Sequence, residues 1–596
     1  MSQVEAPPKP AGGLRNFKSL GQGLRRVGLS RNNSNTGQVT EGNDMSSETP
    51  PPTKIGTPSG ESIFGSSSSA NFDNNYDFND SAAEDSAINH SIDALPPTAL
   101  IFFVAILTSF CGFMSGYDTG YISSALVIMK ESDIHAELSS KNKELITSAT
   151  SLGALVTAFF AGGLTDAFGR KWVITLANPL FILGAGLQTG AHTLWMMIGG
   201  RFVMGCGIGI TSLVAPMYLS EMAPTKYRGR LVTMYVLLLT FGQLVAYAIG
   251  YGVTDVDQGW RIEVGLSLIP CVLQMCLFVF MPETPRYLVS RGRTEESKSV
   301  LRRIYANPTD EQVSAKISEI SSDVPIRAFT STDDVPYMTK IRSGIISYEH
   351  NLRELFVRPQ NFRGLCIIVI LQALQQFSGW NSLLYYSGTM FQSVGFSNPT
   401  AVSIIIAATN FVFTCVAFVV IDHLGRRAIL VGTMWGMVVG LVMCSIAFQY
   451  VDYDPNGGGV STETTSNTWS IIIIVFIFVF AMSYGAGIGN IPWQQAEMLP
   501  LQVRGVGTSF STAMNWGGSL IISATFLTML DNITPTGTFG FYAGVCFVGW
   551  ILVIFFYPET AGLSLEEIQE FLKGGFNVRE SVALSKRKTR LLKSSK

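Results

Sequence analysis

Long apolar stretches alternate with short polar ones along most of this chain. The run Gly364–Ile421, for example, contains no Asp, Glu, Lys or Arg. A helix of about 20 apolar residues crosses the hydrocarbon core of a bilayer, and a soluble surface cannot be built without charge. The pattern therefore predicts an all-α membrane protein with twelve transmembrane helices. The expected spans are about 98–126, 145–165, 172–190, 194–219, 230–252, 262–281, 364–388, 401–421, 428–450, 469–495, 505–530 and 538–557.

The polar stretches divide the chain into five parts. Residues 1–95 are rich in Ser, Asn, Pro and Gly and are expected to form a disordered cytosolic tail. Residues 282–362 are expected to form a charged cytosolic linker, in which Thr294–Tyr305 has the pattern of a short amphipathic helix. The other expected parts are a first six-helix half at 96–281, a second six-helix half at 363–558 and a cytosolic tail at 559–596.

The composition supports a membrane protein and argues against an enzyme. Hydrophobic residues make up 47% of the chain and charged residues only 14%. All eight cysteines lie in apolar segments, which suits packing better than disulfides or a metal site. No histidine falls within a predicted span, and no nucleophile constellation or phosphate-binding loop is present. We therefore expect no catalytic residues, no metal and no cofactor.

Basic residues in the short loops predict the orientation of the spans. The loops after even-numbered spans are basic, whereas residues 253–260, 451–468 and 531–537 contain no Lys or Arg. Lys141 and Lys143 in the first loop are exceptions. Because cytosolic loops carry an excess of positive charge, both termini are expected to be cytosolic. The basic C-terminal tail is expected either to touch the anionic inner leaflet or to be solvated.

Three motifs occur twice, which predicts two related halves. Asp166–Lys171 matches Asp422–Arg427 at an offset of 256 residues (422 − 166). Pro282-Glu283-Thr284 likewise matches Pro558-Glu559-Thr560 at an offset of 276 (558 − 282). Glu221 with Arg228 matches Glu497 with Arg504. Halves of the same orientation predict a substrate site between them, near the middle of the membrane.

Two isolated charges lie deep within predicted spans. Asp118 is the only charge in the run Thr98–Met129, and Arg201 is the only charge between Lys171 and Glu221. Counted along their helices, both lie roughly 10–12 Å below the outer surface. A lone buried charge is very costly, so the two are expected to pair. The pair is expected to have a functional role or, alternatively, a purely structural one.

The combined motifs resemble those of a known family. The Asp-x-x-Gly-Arg-[Arg/Lys] repeats, Pro282–Arg286 (PETPR) and the second Pro-Glu-Thr are similar to those of the sugar porter family, in the major facilitator superfamily. Four further segments most resemble the fungal proton-coupled myo-inositol transporters. These segments are Gly116–Leu126 (GYDTGYISSAL), Gln375–Tyr385 (QQFSGWNSLLY), Pro492–Glu497 (PWQQAE) and Thr525–Gly537 (TFLTMLDNITPTG). The resemblance covers about residues 95–575 and implies the major facilitator fold.

A neutral cyclic polyol calls for amide side chains around its hydroxyls and an aromatic face for its C–H side. The amide candidates near mid-membrane are Gln243, Gln375, Gln376, Asn381, Asn410 and Asn515. The resemblance adds Trp493 and Trp516 as ring contacts, and it implies that Asp118 and Arg201 form the proton site. Alternatively, the amides link helices and the tryptophans anchor at the interface.

Charged residues at the cytosolic ends of the spans are candidates for a gate. The resemblance implies that they form ion pairs that close the inner side, although the arginines alone satisfy the positive-inside rule. The candidates are Asp166, Arg170, Glu221, Arg228, Glu283, Asp422, Arg426, Glu497, Arg504 and Glu559. Gly487, Gly489 and Pro492 are expected to break span ten near Trp493.

Three functions fit these observations. The favoured one is a proton symporter that brings myo-inositol into the cell by alternating access. The alternatives are a hexose facilitator or proton–hexose symporter, and a non-transporting nutrient sensor. The expected partners are a small neutral polyol, the proton as coupling ion and membrane lipid, with no nucleic acid. We expect a monomer that is integral to the plasma membrane.

Overall fold

The computed structural model describes residues 92–594, except 225–226, 324–347, 394–397, 452–466, 562 and 564. The N-terminal tail, which was predicted to be disordered, therefore lies outside the described residues up to position 91. The described residues are mainly helical. The membrane helices are Ala99–Ile128, Ser140–Phe168, Arg170–Thr189, Leu194–Met222, Arg228–Gly252, Gly259–Leu266 with Leu268–Phe278, Pro359–Phe377 with Trp380–Ser393, Pro399–Leu424, Arg426–Ala447, Asn467–Ala486 and Leu501–Phe556.

The structure confirms the all-α fold with twelve spans. Eleven helical segments within the described residues are long and apolar enough to cross a membrane. The last of them, Gln502–Phe556, contains 55 residues and comprises the predicted spans eleven and twelve. We number the spans one to twelve in chain order, as in the prediction.

The prediction of a loop at residues 531–537, between spans eleven and twelve, is wrong. The helix Leu501–Phe556 continues through it, and its only non-helical residue is Thr534, at φ 68° and ψ 158°. Pro535 favours a departure from helical angles at this point, because proline lacks an N–H group and disfavours the helical conformation of the preceding residue. The chain therefore reverses at one residue rather than through a polar loop.

Two spans are broken near mid-membrane. Span ten ends as an α-helix at Ala486 and continues as the 3₁₀ helix Ile491–Met498, so the break expected there is confirmed. Span seven was predicted as one helix over 364–388, but it consists of two helices separated by Ser378 and Gly379. Gly379 has φ 83°, a conformation that costs glycine little. Unpaired backbone groups at such breaks are available to line a cavity.

Glycines bring span one close to span five. Gly112, Gly116 and Gly120 recur every four residues and therefore share one face of the helix. A side chain at these positions would meet the backbone carbonyls of Tyr235, Leu239 and Gln243, respectively. Small residues in this spacing allow membrane helices to approach closely. This packing fixes the part of span one that carries Asp118.

Short helices cover one end of the bundle, which we call the linker face. The helices Pro285–Ser290, Thr294–Ile304 and Asp310–Asp323 lie there, and the middle one confirms the predicted amphipathic helix. Arg291 attaches this layer to the end of span two, because its Nη2 donates to the carbonyls of Asp166 at 2.8 Å and Ala167 at 2.6 Å. The other end of the bundle is called the opposite face.

Candidate functional site

The two isolated charges meet in the first half of the molecule. Arg201 Nη1 lies 3.3 Å from Asp118 Oδ1, and Arg201 Nη2 lies 3.4 Å from Asp118 Oδ2. The side chain of Asp118 is 3% exposed and that of Arg201 is 0% exposed. Arg201 Nε also donates to the carbonyl of Ile146 at 2.7 Å. Spans one, two and four are therefore joined through one buried guanidinium group.

Two further residues complete this cluster, and neither was predicted from the sequence. The Tyr121 hydroxyl lies 2.9 Å from Asp118 Oδ1 and accepts a hydrogen bond from Arg201 Nη1 at 3.0 Å. It also contacts Gln188 Oε1 on span three. Tyr121 follows Asp118 by three residues, so the helical period places both on one face. That spacing was the available signal, whereas nothing in the sequence links Gln188 to Asp118.

A second buried carboxylate lies near the same end of span one. The side chain of Glu263, on span six, is fully buried, and its Oε1 accepts a hydrogen bond from Ser124 Oγ at 2.5 Å. Tyr117 OH donates to the Glu263 backbone carbonyl at 2.6 Å. Span one therefore carries one buried carboxyl group, that of Asp118, and contacts a second, that of Glu263.

A cavity lies between the two halves. All eight residues predicted to bind substrate line this cavity, namely Gln243, Gln375, Gln376, Asn381, Asn410, Trp493, Asn515 and Trp516. Ser115 and Thr119 of span one also line it, on either side of Asp118 in the sequence. The ion pair and the cavity therefore share the same turn of span one.

The cavity amides are hydrogen-bonded to one another. Asn381 Nδ2 donates to Gln376 Oε1 at 2.7 Å. Asn410 Nδ2 donates to Gln243 Oε1 at 3.2 Å and thereby joins span eight to span five, across the two halves. Such groups can exchange these partners for the hydroxyls of a bound molecule without being left unpaired.

The break in span ten forms part of this network. Asn515 Nδ2 donates to Gln372 Oε1 at 2.6 Å and to Gln375 Oε1 at 2.8 Å. Gln375 Nε2 in turn donates to the carbonyls of Ile488 at 3.2 Å and Gly489 at 3.1 Å, where the α-helix has ended. Spans seven, ten and eleven are thus connected by amide groups at the cavity wall.

Aromatic rings supply the apolar part of the wall. Trp516 Nε1 donates to Ser212 Oγ at 3.0 Å, and the Trp493 ring lies 5.7 Å from that of Tyr235. Both tryptophans thereby contact the first half from the second. Trp380 and Tyr484 also line the cavity, with their rings stacked at 4.5 Å. This second pair was not predicted from the sequence, because Trp380 becomes a wall residue only through the break at Gly379.

Polar contacts join the two halves toward the opposite face. Glu144 of span two accepts hydrogen bonds from the Thr528 backbone N–H and from its hydroxyl, both at 2.8 Å. Ser123 and Ser387 hydroxyls lie 3.0 Å apart. Tyr247 OH donates to the Leu384 carbonyl at 2.5 Å. These contacts close the space between the halves on that side of the cavity.

The candidate gate residues of the first half lie together at the linker face. Arg170 Nη2 lies 3.0 Å from Glu221 Oε1 and 3.8 Å from Asp166 Oδ1. Glu283 accepts hydrogen bonds from the N–H groups of Arg170 and Lys171 at the start of span three, at 3.2 and 3.3 Å. Burial raises the pKa of Glu283, and hydrogen bonds from the N–H groups of Thr284 and Lys171 oppose that rise. All the contacts named here lie within the first half and the start of the linker.

The second half repeats part of this arrangement. Glu559 accepts hydrogen bonds from the N–H groups of Arg426 at 3.0 Å and Arg427 at 3.1 Å. The Arg504 guanidinium donates to the Leu499 carbonyl. The side chains of Asp422 and Glu497 lie outside what the structure describes. Arg228, in contrast, is exposed and has no ion pair among the described residues.

Comparisons with known proteins give a consistent result. A family model described as "Sugar (and other) transporter" matches residues 104–572. "Myo-inositol transporter 1" of Saccharomyces cerevisiae is 47% identical over 489 residues, which cover 82% of each chain. "Myo-inositol transporter 1" of Candida albicans is 44% identical over 519 residues, which cover 87% of this chain and 91% of the relative.

Solved structures of similar fold are xylose transporters of the major facilitator superfamily. The proton:xylose symporter XylE bound to 6-bromo-6-deoxy-D-glucose superposes with a TM-score of 0.64 at 23% identity. The match covers 79% of this chain and 99% of that one. An inward-open structure of XylE from E. coli gives a TM-score of 0.59 at 22% identity, with 79% and 99% covered. The predicted major facilitator fold is therefore confirmed.

Proposed function

Because this chain belongs to the sugar (and other) transporter family, we propose that it carries myo-inositol into the cell together with a proton, by alternating access. The family and its fold make the protein a membrane-spanning transporter and not an enzyme. The substrate, the coupling ion, the monomeric unit and the plasma membrane are parts of the proposal.

The observation that carries the proposal is the buried Asp118–Arg201 pair beside the cavity. Ionised Asp118 holds Arg201 and thereby ties span one to span four. A protonated Asp118 loses the charge that attracts Arg201, so the two spans are released. Because Ser115 and Thr119 on the same turn line the cavity, this release reaches the substrate site. Proton binding and substrate movement are coupled in this way.

The cavity chemistry supports a neutral polyol as substrate. The predicted wall residues offer amide donors and acceptors and two indole rings but no formal charge. Myo-inositol is a ring in which every carbon bears a hydroxyl, so it requires such groups. The names of relatives that are 44–47% identical point to the same substrate.

The proposal is tested by uptake of labelled myo-inositol in cells that lack their own transporters. Uptake is expected to rise as the external pH falls and to collapse with a protonophore, since the proton gradient drives accumulation. Unlabelled myo-inositol is expected to suppress the signal strongly and glucose only weakly. Equal competition by glucose would favour a hexose transporter, and uptake insensitive to pH and protonophore would favour a facilitator. The absence of any uptake would favour a nutrient sensor.

We also propose that the linker face is cytosolic, because Arg170, Lys171, Arg426 and Arg427 lie there. In this orientation the Asn89 glycosylation sequon is cytosolic. The Asn532 sequon lies on the outer side, within the helix Leu501–Phe556, where Asn532 Nδ2 donates to the Thr528 carbonyl at 2.7 Å.

The natural chain is therefore expected to show no substantial glycosidase-sensitive mass shift in a cell that glycosylates secreted proteins. As a positive control, a sequon-bearing segment inserted between spans nine and ten is expected to produce such a shift. A shift of the natural chain that disappears in Asn89→Gln would contradict the orientation.

A further inference from the structure

A second cavity lies on the outside of the second half, away from the substrate site. Its walls are formed by spans seven and twelve and by the segment that follows span twelve. The lining residues are Cys366, Ile367, Ile370, Leu371, Leu552, Val553, Phe556, Tyr557 and Phe576. Apart from the Tyr557 hydroxyl and the Cys366 thiol, these side chains are hydrocarbon. We call this cavity the lateral cleft.

The lateral cleft opens toward the membrane. Ile370 and Phe556 are exposed on the surface of the bundle, whereas Ile367 and Val553 are buried and form its floor. In a membrane-spanning protein, an exposed apolar surface at this position faces lipid. The cleft thus offers a recess, deeper than a flat helix face, in which a hydrocarbon chain is covered on several sides.

The end of the cleft nearer the linker face is covered by the C-terminal segment. The Phe576 ring packs edge-on against Phe556 at 5.2 Å. Arg363 holds the preceding helix Leu565–Gly574 in place, since its Nη1 donates to the carbonyls of Leu572 at 2.5 Å and Lys573 at 2.7 Å. Phe556 is the last residue of its helix. This end of the cleft therefore lies near the boundary between hydrocarbon and headgroups.

Basic residues flank the covering ring. Lys573 and Arg579 are both exposed, three residues before and after Phe576. The following helix, Val578–Ser594, contains a single acidic residue, Glu580, and six basic ones, Arg579, Lys586, Arg587, Lys588, Arg590 and Lys593. Positive charge of this kind beside a membrane attracts anionic lipid headgroups.

We infer that the lateral cleft binds an acyl chain of an anionic phospholipid from the leaflet at the linker face, with its headgroup at Lys573 and Arg579. The occupant combines the two observed features, because the apolar recess accepts the chain and the basic residues accept the phosphate. The helix Leu565–Gly574, which contains Lys573, also contacts the transport machinery. Gln569 Nε2 donates at 2.9 Å to the carbonyl of Met498, the last residue of the 3₁₀ stretch that contains Trp493. A bound lipid therefore steadies a segment attached to span ten.

The test uses phosphatidylserine with a diazirine near the end of one acyl chain, in nanodiscs made of phosphatidylcholine. After illumination, labelled peptides are identified by mass spectrometry. Labels are expected in the peptides that contain Cys366–Leu371 and Leu552–Tyr557. Their yield is expected to be several-fold higher than with phosphatidylcholine that carries the same photoreactive chain. Equal yields from the two lipids would overturn the inference, because they indicate unselective contact with the bilayer.

Two variants test the two parts of the site. Ile370→Trp fills the cleft and is expected to remove most of the label, whereas Ile405→Trp, at another exposed position, is the matched control. Lys573→Gln combined with Arg579→Gln is expected to abolish the preference for phosphatidylserine. Removing two charges farther along the same tail, with Lys586→Gln and Arg587→Gln, is expected to preserve it.

Inositol uptake and thermal stability show whether each variant is folded. Unchanged labelling in folded Ile370→Trp would overturn the inference. Displacement of the label by ergosterol but not by unlabelled phosphatidylserine would also overturn the inference, since the occupant would then be a sterol.

Discussion

Asp118→Asn is expected to abolish accumulation of myo-inositol above its external concentration, while exchange down a gradient continues. The substitution preserves the shape of the side chain but removes its titration, so no proton is bound and released in the cycle. It also leaves Arg201 buried without a counter-ion. Removing one partner of a buried pair costs about 3–5 kcal/mol, so the amount of folded protein has to be measured as well.

The measurement compares accumulation and exchange in the same reconstituted vesicles, with and without a proton gradient. Asp118→Glu, which retains a titratable carboxyl group, is the matched control and is expected to retain some coupled uptake. Accumulation at the natural level in Asp118→Asn would show that another group carries the proton. Glu263, whose carboxylate is fully buried beside Ser124, would then be the next residue to substitute.

Asn515→Ala is expected to weaken myo-inositol binding by about 1–3 kcal/mol, or roughly 5–150-fold in Kd. Its amide donates to Gln372 and Gln375, so the change removes one hydrogen bond from each of two buried amide oxygens. The loss also frees Gln375, which holds the broken part of span ten. Affinity is best measured by calorimetry on purified protein, together with thermal stability.

Asn178→Ala is the matched control, because Asn178 is buried in span three and does not line the cavity. This variant is expected to bind myo-inositol normally. Gln376→Ala and Asn381→Ala are also expected to weaken myo-inositol binding. The side chains of Gln376 and Asn381 form a hydrogen-bonded pair at the same cavity wall. Loss of stability at unchanged affinity in all three would assign these amides to helix packing alone.

Much of this site was predictable because membranes make polar residues conspicuous. Asp118 and Arg201 were paired from their depths alone, and the amides of the cavity stood out within charge-free spans. Tyr121 and Gln188 were missed for the opposite reason. A tyrosine or glutamine in an apolar helix has many ordinary partners, and only three-dimensional packing selects one of them.

The helix breaks were only partly predictable from the sequence. Hydropathy reports how apolar a segment is and not its backbone angles, so it gave span seven as continuous across Gly379. The break in span ten was predictable because two glycines and a proline occur together there. The positive φ of Thr534 was not predictable, since a β-branched residue rarely adopts such a conformation. Only Pro535 indicated a reversal of the chain there.

Gly169 and Gly425 have nearly equal backbone angles, with φ 92° and 88°, and each precedes a helix whose first N–H groups bind a glutamate. A Cβ atom at either position would press against that glutamate, Glu283 or Glu559. In a library of random variants selected for growth on myo-inositol, both positions should therefore tolerate almost nothing but glycine. Two sites 256 residues apart (425 − 169) would then share one profile of allowed residues, a trace of the duplication that produced the halves.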